Sequence, residues 1–417
     1  MSFVDLGLCD VLSKTAENLG YVSPTQVQRK SIPVVLKGED LVMISETGSG
    51  KTAAFAWPIL QLMSASQVVI PKNIRSLVIT PTRELAAQVT KSFQVYGCDL
   101  HLNITGVYGG MRIEPQIAKL RDGADVLVAT PGRLLDLYSQ QAVNFQQLEI
   151  LVLDEADRML ELGFIDDIRK IQKLLPKKYQ TLMFSATFSK EMTSLATGIL
   201  NQANVIEVNK VNSTVSNIKQ LVHPVDKSNK VKLLSHLLSK HRWRQVIVFI
   251  STKHGADLLV QKLETSGVNA ASIHANRSQH ARVKVLSDFI NGKLSVLVAT
   301  DIASRGIDIS QLPCVINFDL PFVAEDYVHR IGRTGRAGAS GMAITLFSEE
   351  ESKQLLSIEK LIGQKLQLER VSGFAPAKKK TKTTQKESDN DLYGNFEADS
   401  KPFKGRNNKT SNRNRRK

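Results

Sequence analysis

The segment from Ser45 to Thr52 has the residue types and spacing of a loop that holds phosphate groups. It reads Ser-Glu-Thr-Gly-Ser-Gly-Lys-Thr, after an apolar run at 41–44 and before a helical pattern at 53–63. Glycines let the backbone curl so that its N–H groups point at phosphate oxygens. Lys51 can reach the β- and γ-phosphates, and the Thr52 hydroxyl can bind Mg²⁺. Ser45 replaces the usual first Gly, and a chance glycine-rich turn is the alternative, but the strand before and the helix after favour a nucleotide site. The predicted phosphate-binding residues are Thr47, Gly48, Ser49, Gly50, Lys51 and Thr52.

An acidic box, Asp154-Glu155-Ala156-Asp157, follows the apolar residues 150–153. Carboxylates at the carboxyl ends of parallel strands lie where doubly wound sheets bind ligands. Asp154 can hold Mg²⁺ through water, and Glu155 can orient and deprotonate an attacking water. By itself, such a cluster is more often a solvated turn. Together with the phosphate loop, it predicts nucleotide hydrolysis, with Lys51, Asp154 and Glu155 in catalytic roles.

Short apolar runs must position these groups. Most are continuous Val, Leu and Ile stretches, the pattern of strands buried on both faces of a parallel sheet. Helical patterns separate them, which predicts an α/β doubly wound class. The predicted strands are 41–44, 77–80, 126–130, 151–153, 181–184, 246–250, 296–300 and 315–318.

The strands fall into two sets, separated by the polar stretch 209–216, which we interpret as a linker. The predicted domains are 1–208 and 217–374. The pentad Val-Leu-Val-Ala-Thr occurs at 126–130 and at 296–300. Two related domains would explain the repeat. Convergence of buried parallel strands on the same residues is the simpler explanation, and we favour it at this stage.

The final segment, 375–417, has a different composition. Its 13 basic and 5 acidic residues give 13 − 5 = +8 of the net charge of +15. A segment so rich in Lys, Arg, Asn, Ser and Thr buries too little apolar surface to fold alone. We therefore predict a disordered basic tail. The net charge makes a polyanionic partner plausible, and RNA, DNA and anionic lipid all fit.

The composition and the cysteine count restrict the class of protein that this chain can belong to. Apolar residues make up 42% of the 417 residues and charged residues 23%, as in globular proteins. The three cysteines, Cys9, Cys98 and Cys314, are too few and too widely spaced for a disulfide framework or a zinc site. Neither a signal peptide nor a membrane-spanning apolar run is visible. We expect a cytoplasmic protein without a membrane partner.

Taken in order, these motifs resemble the DEAD-box RNA helicases over roughly residues 3–350. The resemblance implies two tandem RecA-like domains with parallel sheets, and ATP and Mg²⁺ as cofactors. Gly20-Tyr21-Val22-Ser23-Pro24-Thr25-Gln26-Val27-Gln28 is similar to the family's adenine motif. It implies that Gln28 bonds the adenine edge, that Tyr21 packs on the base and that Phe3 is the upstream aromatic. It also implies that Asp308 contacts the ribose and that Arg333 and Arg336, in His329-Arg330-Ile331-Gly332-Arg333-Thr334-Gly335-Arg336, reach the γ-phosphate.

The resemblance further implies RNA contacts and coupling residues. The implied RNA-binding residues are Pro81, Arg83, Gly109, Gly110, Thr130, Arg133, Thr252, Thr300 and Arg305; the implied coupling residues are Ser185, Thr187 and His329. Departures are few: Glu46 stands where Gln is usual, Ala275 where Gly is common, and Ser304 where Ala is usual. None removes a group that the mechanism needs. The basic tail and short N-terminus are most similar to the bacterial RhlE-like branch.

The function implied is RNA-stimulated ATP hydrolysis, coupled to local unwinding of short RNA duplexes and to remodelling of RNA–protein complexes. Single strands and short duplexes would bind with little sequence preference, because contacts go mainly to phosphates and 2′-hydroxyls. Ribosome-assembly or RNA-decay proteins are possible partners. A non-enzymatic ATP-gated clamp is an alternative, but it predicts a lost base or lost arginines, and Glu155, Arg333 and Arg336 are all present. A DNA helicase is the second alternative. The resemblance to the DEAD-box family favours RNA over DNA as the substrate.

Overall fold

A computed structural model describes most of the chain. The described residues are 1–46, 48–65, 69–208, 218–301, 309, 312–335 and 341–376. Several predicted features lie outside them: Thr47, Arg305, Asp308, Arg336, the linker 209–216 and the tail from 377 onward. Residues 1–376 form one compact unit that contains two sheets. We call the part that carries strands β1–β7 the first lobe and the part that carries β8–β14 the second lobe.

The first lobe is a seven-stranded parallel sheet with helices on both faces. Its strand order is β3-β4-β2-β5-β6-β1-β7. The strands are β1 Leu41–Ser45, β2 Ile74–Ile79, β3 Ile104–Val107, β4 Ala124–Ala129, β5 Ile150–Leu153, β6 Gln180–Ser185 and β7 Asn204–Val208. The helices are α1 Asp10–Asn18, α2 Gln26–Leu36, α3 Lys51–Ala65, α4 Arg83–Tyr96, α5 Glu114–Leu120, α6 Pro131–Ser139, α7 Ala156–Glu161, α8 Ile165–Gln172 and α9 Lys190–Ile199. Helices α1–α4 supply one core cluster and α5–α9 the other.

The second lobe is a second seven-stranded parallel sheet, ordered β10-β11-β9-β12-β13-β8-β14. The strands are β8 Ile218–Pro224, β9 Val246–Phe249, β10 Ala270–Ile273, β11 Val296–Ala299, β12 Cys314–Asn317, β13 Gly341–Phe347 and β14 Gln367–Leu368. The helices with full bounds are α10 Lys230–His241, α11 Lys253–Glu264, α12 Gln279–Ile290, α13 Ala324–Ile331 and α14 Ser352–Ile362. Within β9, Val246 and Val248 pack on the α10–α11 side, and Ile247 and Phe249 pack on the α12 side.

The eight predicted strands are confirmed as buried parallel strands, because every residue of β1, β2, β4, β5, β6, β9, β11 and β12 is buried. The pattern missed six others. Strands β3, β7, β10 and β14 are the sheet edges, where one side meets solvent and no continuous apolar run is required. Strand β8 includes Lys219, Gln220 and His223, and β13 begins at Gly341, so neither has a purely aliphatic sequence.

The two sheets have the same topology. Strands β8–β14 occupy the positions of β1–β7 in order. The two Val-Leu-Val-Ala repeats lie in β4 and β11, which are equivalent strands. Equivalent placement agrees with two related domains, while convergence of buried parallel strands stays our interpretation of the identical residues. Among the described residues, no helix is long and apolar enough to cross a bilayer.

Candidate functional site

The phosphate loop lies between the end of β1 and the start of α3. Gly48 and Gly50 have φ values of +84° and +90°, a region that only glycine adopts without strain. Lys51 is buried, and its Nζ donates to the carbonyl oxygens of Ser45 and Glu46, the latter at 3.0 Å. The lysine thus lies over its own loop, in position to exchange these carbonyls for phosphate oxygens.

Gln28 ties the start of α2 to this loop. Its Oε1 accepts from the Thr25 N–H at 2.9 Å, and its Nε2 donates to the Gly50 carbonyl at 3.3 Å. A side chain at Gly50 would clash with Gln28, because a Cβ there would lie 2.6 Å from Nε2. Both halves of the amide are therefore bound to protein. The adenine contact expected of Gln28 stays a prediction, and it requires the amide to change partners.

The two aromatic residues expected near the base belong to a cluster in the first lobe. Phe3 is buried and packs edge-on against Trp57, with ring centroids 4.7 Å apart. Tyr21 also packs edge-on against Trp57, at 4.8 Å, and its hydroxyl lies 2.8 Å from that of Tyr96. Both rings therefore pack on α3, through Trp57, in the core of the first lobe. Their stacking on adenine stays a prediction.

The acidic box follows β5 directly. Asp154 is 3% exposed. Its pKa is raised to about 7, first by burial and next by the neighbouring Glu155, while Lys51 acts in the opposite direction. The Glu155 N–H donates to Asp154 Oδ1 at 3.1 Å. A buried carboxyl with so high a pKa is short of positive charge, which is the condition that a bound cation relieves.

Glu155 has a left-handed backbone, with φ 53° and ψ 51°. This conformation strains residues with a Cβ and is found preferentially where function requires it. It is the N-cap residue of α7, so this conformation occurs at the point where the chain passes from β5 into α7. The sequence predicted a base here but contained no sign of the strain.

Asp157, the last residue of the box, connects α7 to the segment after β6. Its Oδ2 accepts from the N–H groups of Ala186 and Thr187, at 3.1 and 3.0 Å, and from the Thr187 hydroxyl at 3.1 Å. Ser185 donates from Oγ to the Thr187 carbonyl at 2.6 Å. The predicted coupling residues Ser185 and Thr187 are thus attached to the acidic box through a carboxylate to which we had assigned no role.

The second lobe closes this site. A narrow cavity between the lobes is lined by Lys51, Glu155, Asp157, Arg158, Glu161, Ala186, His329 and Arg333. His329 lies in α13 and Arg333 follows its end. Lys51 and Arg333 are far apart in sequence, yet they line one cavity with the proposed base. The cavity thus contains three of the four described members of the predicted catalytic set; the fourth, Asp154, directly precedes Glu155 in the chain.

The predicted RNA contacts of the first lobe cluster on three adjacent loops. Pro81 follows β2, Gly109 and Gly110 follow β3, and Thr130 follows β4; these strands are neighbours in the sheet. The guanidinium of Arg83 packs directly on Gly110, where any side chain would collide with it. The segments therefore form one surface at the carboxyl edge of the sheet.

Arg133, the remaining predicted contact of this lobe, lies on the same surface. Its Nη2 donates to the Met111 carbonyl at 3.0 Å, while Nε and Nη1 are buried without a hydrogen-bond partner. Nε also lies 3.8 Å from Asp136 Oδ2, so Nη1 is the donor that is suited to a phosphate oxygen. In the second lobe, Thr252 caps α11 after β9, and Thr300 follows β11, the neighbouring strand.

Arg330 links the second lobe's segments. Its guanidinium binds Asp301 through two bonds of 2.6 and 2.7 Å, and it donates to Asn317 Oδ1 at 3.1 Å and to the Asp319 carbonyl at 2.7 Å. It also lies 5.1 Å from the centroid of the Phe249 ring. Asp301 follows Thr300 directly, so Arg330 connects the segment of a predicted RNA contact to the helix that carries His329.

Comparison with known proteins identifies the family. The family model for DEAD/DEAH box helicases matches residues 25–195, and that for the helicase conserved C-terminal domain matches 229–338. The ATP-dependent RNA helicase RhlB of Pseudomonas syringae is 40% identical over 373 residues, which are 88% of this chain and 94% of RhlB. The chain belongs to the DEAD-box family of ATP-dependent RNA helicases. It is therefore an ATPase that acts with RNA, and the predicted fold, function and enzyme class are confirmed.

Solved structures agree on the fold. S. cerevisiae Dbp5 bound to RNA and ADP BeF3 superposes with a TM-score of 0.79 at 32% identity, covering 89% of this helicase and 95% of that chain. A Dbp5 variant bound to Nup159, Gle1, IP6 and ADP gives 0.61 at 29% identity, covering 88% and 95%.

The helicase also has a contact between its lobes that sequence reasoning missed. Glu84, in α4, accepts from Gln279 Nε2 at 2.9 Å and pairs with Arg282 Nη2 at 3.0 Å. Gln279 and Arg282 are three residues apart, so they share one face of α12. The sequence offered one sign of this contact: the spacing of Gln279 and Arg282 after the N-cap residue Ser278 places both on one face at the start of α12. It does not reveal a partner on the other lobe.

Proposed function

We propose that this helicase hydrolyses ATP between its lobes and that closure on ATP clamps RNA across both. The supporting observation is the interlobe cavity, which Lys51, Glu155 and Arg333 line together. In this proposal Lys51, Thr52 and the loop glycines hold the phosphates, and Glu155 deprotonates the attacking water. Arg333 stabilises charge on the transferring phosphoryl group from the opposite lobe. Thr47, Asp308 and Arg336 are assigned by resemblance alone.

The residues present fit Mg²⁺. Asp154 supplies a carboxylate oxygen and Thr52 a hydroxyl oxygen, which are the hard donors that this ion prefers. The raised pKa of Asp154, caused first by burial, agrees with a carboxylate placed to receive positive charge. When bound, Mg²⁺ neutralises charge on the phosphate oxygens. The protein's own part is to orient: Asp157 holds Ala186 and Thr187 beside the acidic box.

We further propose that closure bends a single strand and opens short duplexes locally, and that the same cycle remodels RNA–protein complexes. The contacts between lobes support this, because the same α4 that carries Arg83 also carries Glu84, which binds α12. RNA contacts and lobe closure then share one helix. We propose the RhlE-like branch on the basis of the tail's +8 charge.

Polynucleotide-stimulated ATPase activity tests the proposal. RNA should raise the rate of ATP hydrolysis strongly, and DNA of the same sequence should raise it weakly or not at all. Equal stimulation by both would favour a DNA helicase. ATP-dependent RNA binding with no hydrolysis under any condition would instead favour a non-enzymatic clamp.

A further inference from the structure

Three exposed cations lie together at the turn that joins α10 to β9. They are Lys240, Arg242 and Arg244, and we call them the basic edge. None has an ion-pair partner within the described part of the chain. Arg244 Nη2 lies 3.9 Å from the Cβ position of Gly292, next to the exposed Lys293. Among the described residues, Asp288 pairs with the neighbouring Lys293 at 3.8 Å, and Glu369 is the carboxylate that acts on His241.

The backbone of Arg242 adds an independent observation. It ends α10 in the left-handed region, with φ 48° and ψ 38°. Glycine takes this position after a helix without strain, whereas a residue with a Cβ does not. Lys72, Gln141 and Gln202 take the same backbone region, so the strain does not by itself assign a role to Arg242; the exposed, unpaired charges of the basic edge are what indicate a contact.

A purely structural explanation covers only part of the basic edge. Positive residues in the last turn of a helix stabilise its dipole, which accounts for Lys240; burial and the neighbouring Lys240 lower the pKa of His241, so its ring contributes no positive charge there. Arg244 lies beyond the helix and close to the start of β9, so it gains little from the dipole. His241 stacks on Trp243, with centroids 4.4 Å apart and planes 7° from parallel, and this stack stiffens the turn that presents the cations.

We propose that the basic edge is a second RNA-contact surface, which binds the phosphate backbone of a strand that extends beyond the interlobe site. The edge lies at the amino end of β9, and the predicted contact Thr252 lies past its carboxyl end. Six residues of extended chain span roughly 20 Å. A strand of about 6 nucleotides, at about 3.4 Å per phosphate, is no longer than this separation, so when it fills the interlobe site it does not also cover the basic edge; a strand of about 20 nucleotides, roughly 70 Å long, can cover both. The inference rests on the proposed function in one respect, that the substrate is RNA.

The experiment compares two fluorescent RNAs, of about 6 and about 20 nucleotides, binding to the full chain with ADP·BeF3 over a series of salt concentrations. The test variant is Arg242→Gly with Arg244→Gln. The matched control, Lys14→Gln with Lys37→Gln, removes two exposed cations from the first lobe. We expect the test variant to bind the longer RNA roughly 3- to 30-fold more weakly. The slope of log affinity against log salt should shrink by about 1.4, which is about 0.7 for each lost phosphate contact.

Three further measurements complete the test. The test variant should bind the shorter RNA like the wild type, and Arg242→Gly alone should melt at a temperature at least as high, because glycine relieves the left-handed backbone. Unchanged affinity and slope for the longer RNA would overturn the proposal, as would an equal loss in the control. Lost binding to phosphatidylglycerol vesicles with RNA binding intact would assign the surface to anionic lipid instead. Failure of the wild type to bind either RNA would overturn the proposed function as well.

Discussion

Glu84 of the first lobe and Arg282 of the second form an ion pair of 3.0 Å in which neither side chain is more than 8% exposed. Gln279 donates to the other oxygen of the same carboxylate. When the lobes separate, water can reach both charges. The pair is therefore made by closure, and its effect should appear in closure rather than in the stability of either lobe.

Glu84→Gln should weaken RNA binding in the presence of ADP·BeF3. Closure would then bury Arg282 without its counter-charge, and breaking a buried pair costs on the order of 3–5 kcal/mol. We expect at least a tenfold loss of RNA affinity, which corresponds to about 1.4 kcal/mol. Glu84→Gln combined with Arg282→Gln should recover part of the loss, because no buried charge remains unpaired. An affinity within twofold of the wild type in the single variant would rule out this role.

Glu155→Gln should slow ATP turnover by roughly 100-fold or more, the contribution of a positioned general base. ATP and RNA binding should persist. Glu155→Gly should be equally inactive yet melt no lower than the wild type, because it removes the left-handed strain. Gln141→Gly is the control: Gln141 is also left-handed, at φ 55°, and lies outside the interlobe cavity. It should keep normal turnover. Steady-state hydrolysis by Glu155→Gln within a few-fold of wild type would exclude the assigned role.

Asp154 should make stability depend on pH in the absence of Mg²⁺ and nucleotide. Its pKa rises from 3.8 to about 7, first because of burial and next because of Glu155. The folded state therefore binds this proton more tightly than the unfolded state. Protonated Asp154 therefore contributes to the free energy of unfolding at acidic pH, and this contribution is lost as pH rises from about 4 to about 7. Asp154→Asn lacks the titration, so urea unfolding midpoints of the two proteins should diverge across this window. If the urea unfolding midpoints of the two proteins change in parallel from about pH 4 to about pH 7, the raised pKa of Asp154 is contradicted.

Gln28→Ala should reduce the preference for ATP over GTP and raise the KM for ATP. It removes the amide assigned to adenine and also releases the Thr25 N–H and the Gly50 carbonyl. Gln28→Glu is the sharper companion variant, because it keeps an acceptor for Thr25 and loses the donor. KM values for both nucleotides measure the effect. Equal use of ATP and GTP by the unmutated helicase would argue against the adenine assignment.

Removal of residues 375–417 should weaken RNA binding without changing nucleotide choice. The segment carries +8, and neutralising phosphates releases counterions. The loss should be largest at low salt and shrink as salt rises, because screening reduces the attraction. The measurement is the slope of log affinity against log salt for the two chains. Identical slopes and affinities would mean that the segment serves only solubility.

The sequence alone determined the class of the fold and the local chemistry. Continuous aliphatic runs identified eight central strands, because a strand buried on both faces needs apolar residues throughout. Edge strands such as β7 do not need a continuous apolar run, so the sequence pattern did not predict them. The phosphate loop and the acidic box were readable because each is a contiguous segment whose residue types, order and flanking strand carry the chemical requirement. Their detailed roles stay predictions.

Only the tertiary structure decided which distant groups meet. Glu84 and Gln279 are 195 residues apart, and the local sequence around either residue does not predict that the two are in contact. The same holds for Arg330 with Asp301 and for Lys51 with Arg333, which come together through sheet order and the packing of one lobe on the other. The left-handed backbones of Glu155 and Arg242 were equally hidden, because their neighbours impose them against residue preference. Sequence patterns record what each segment favours by itself; long-range packing selects the partners and sustains the strain.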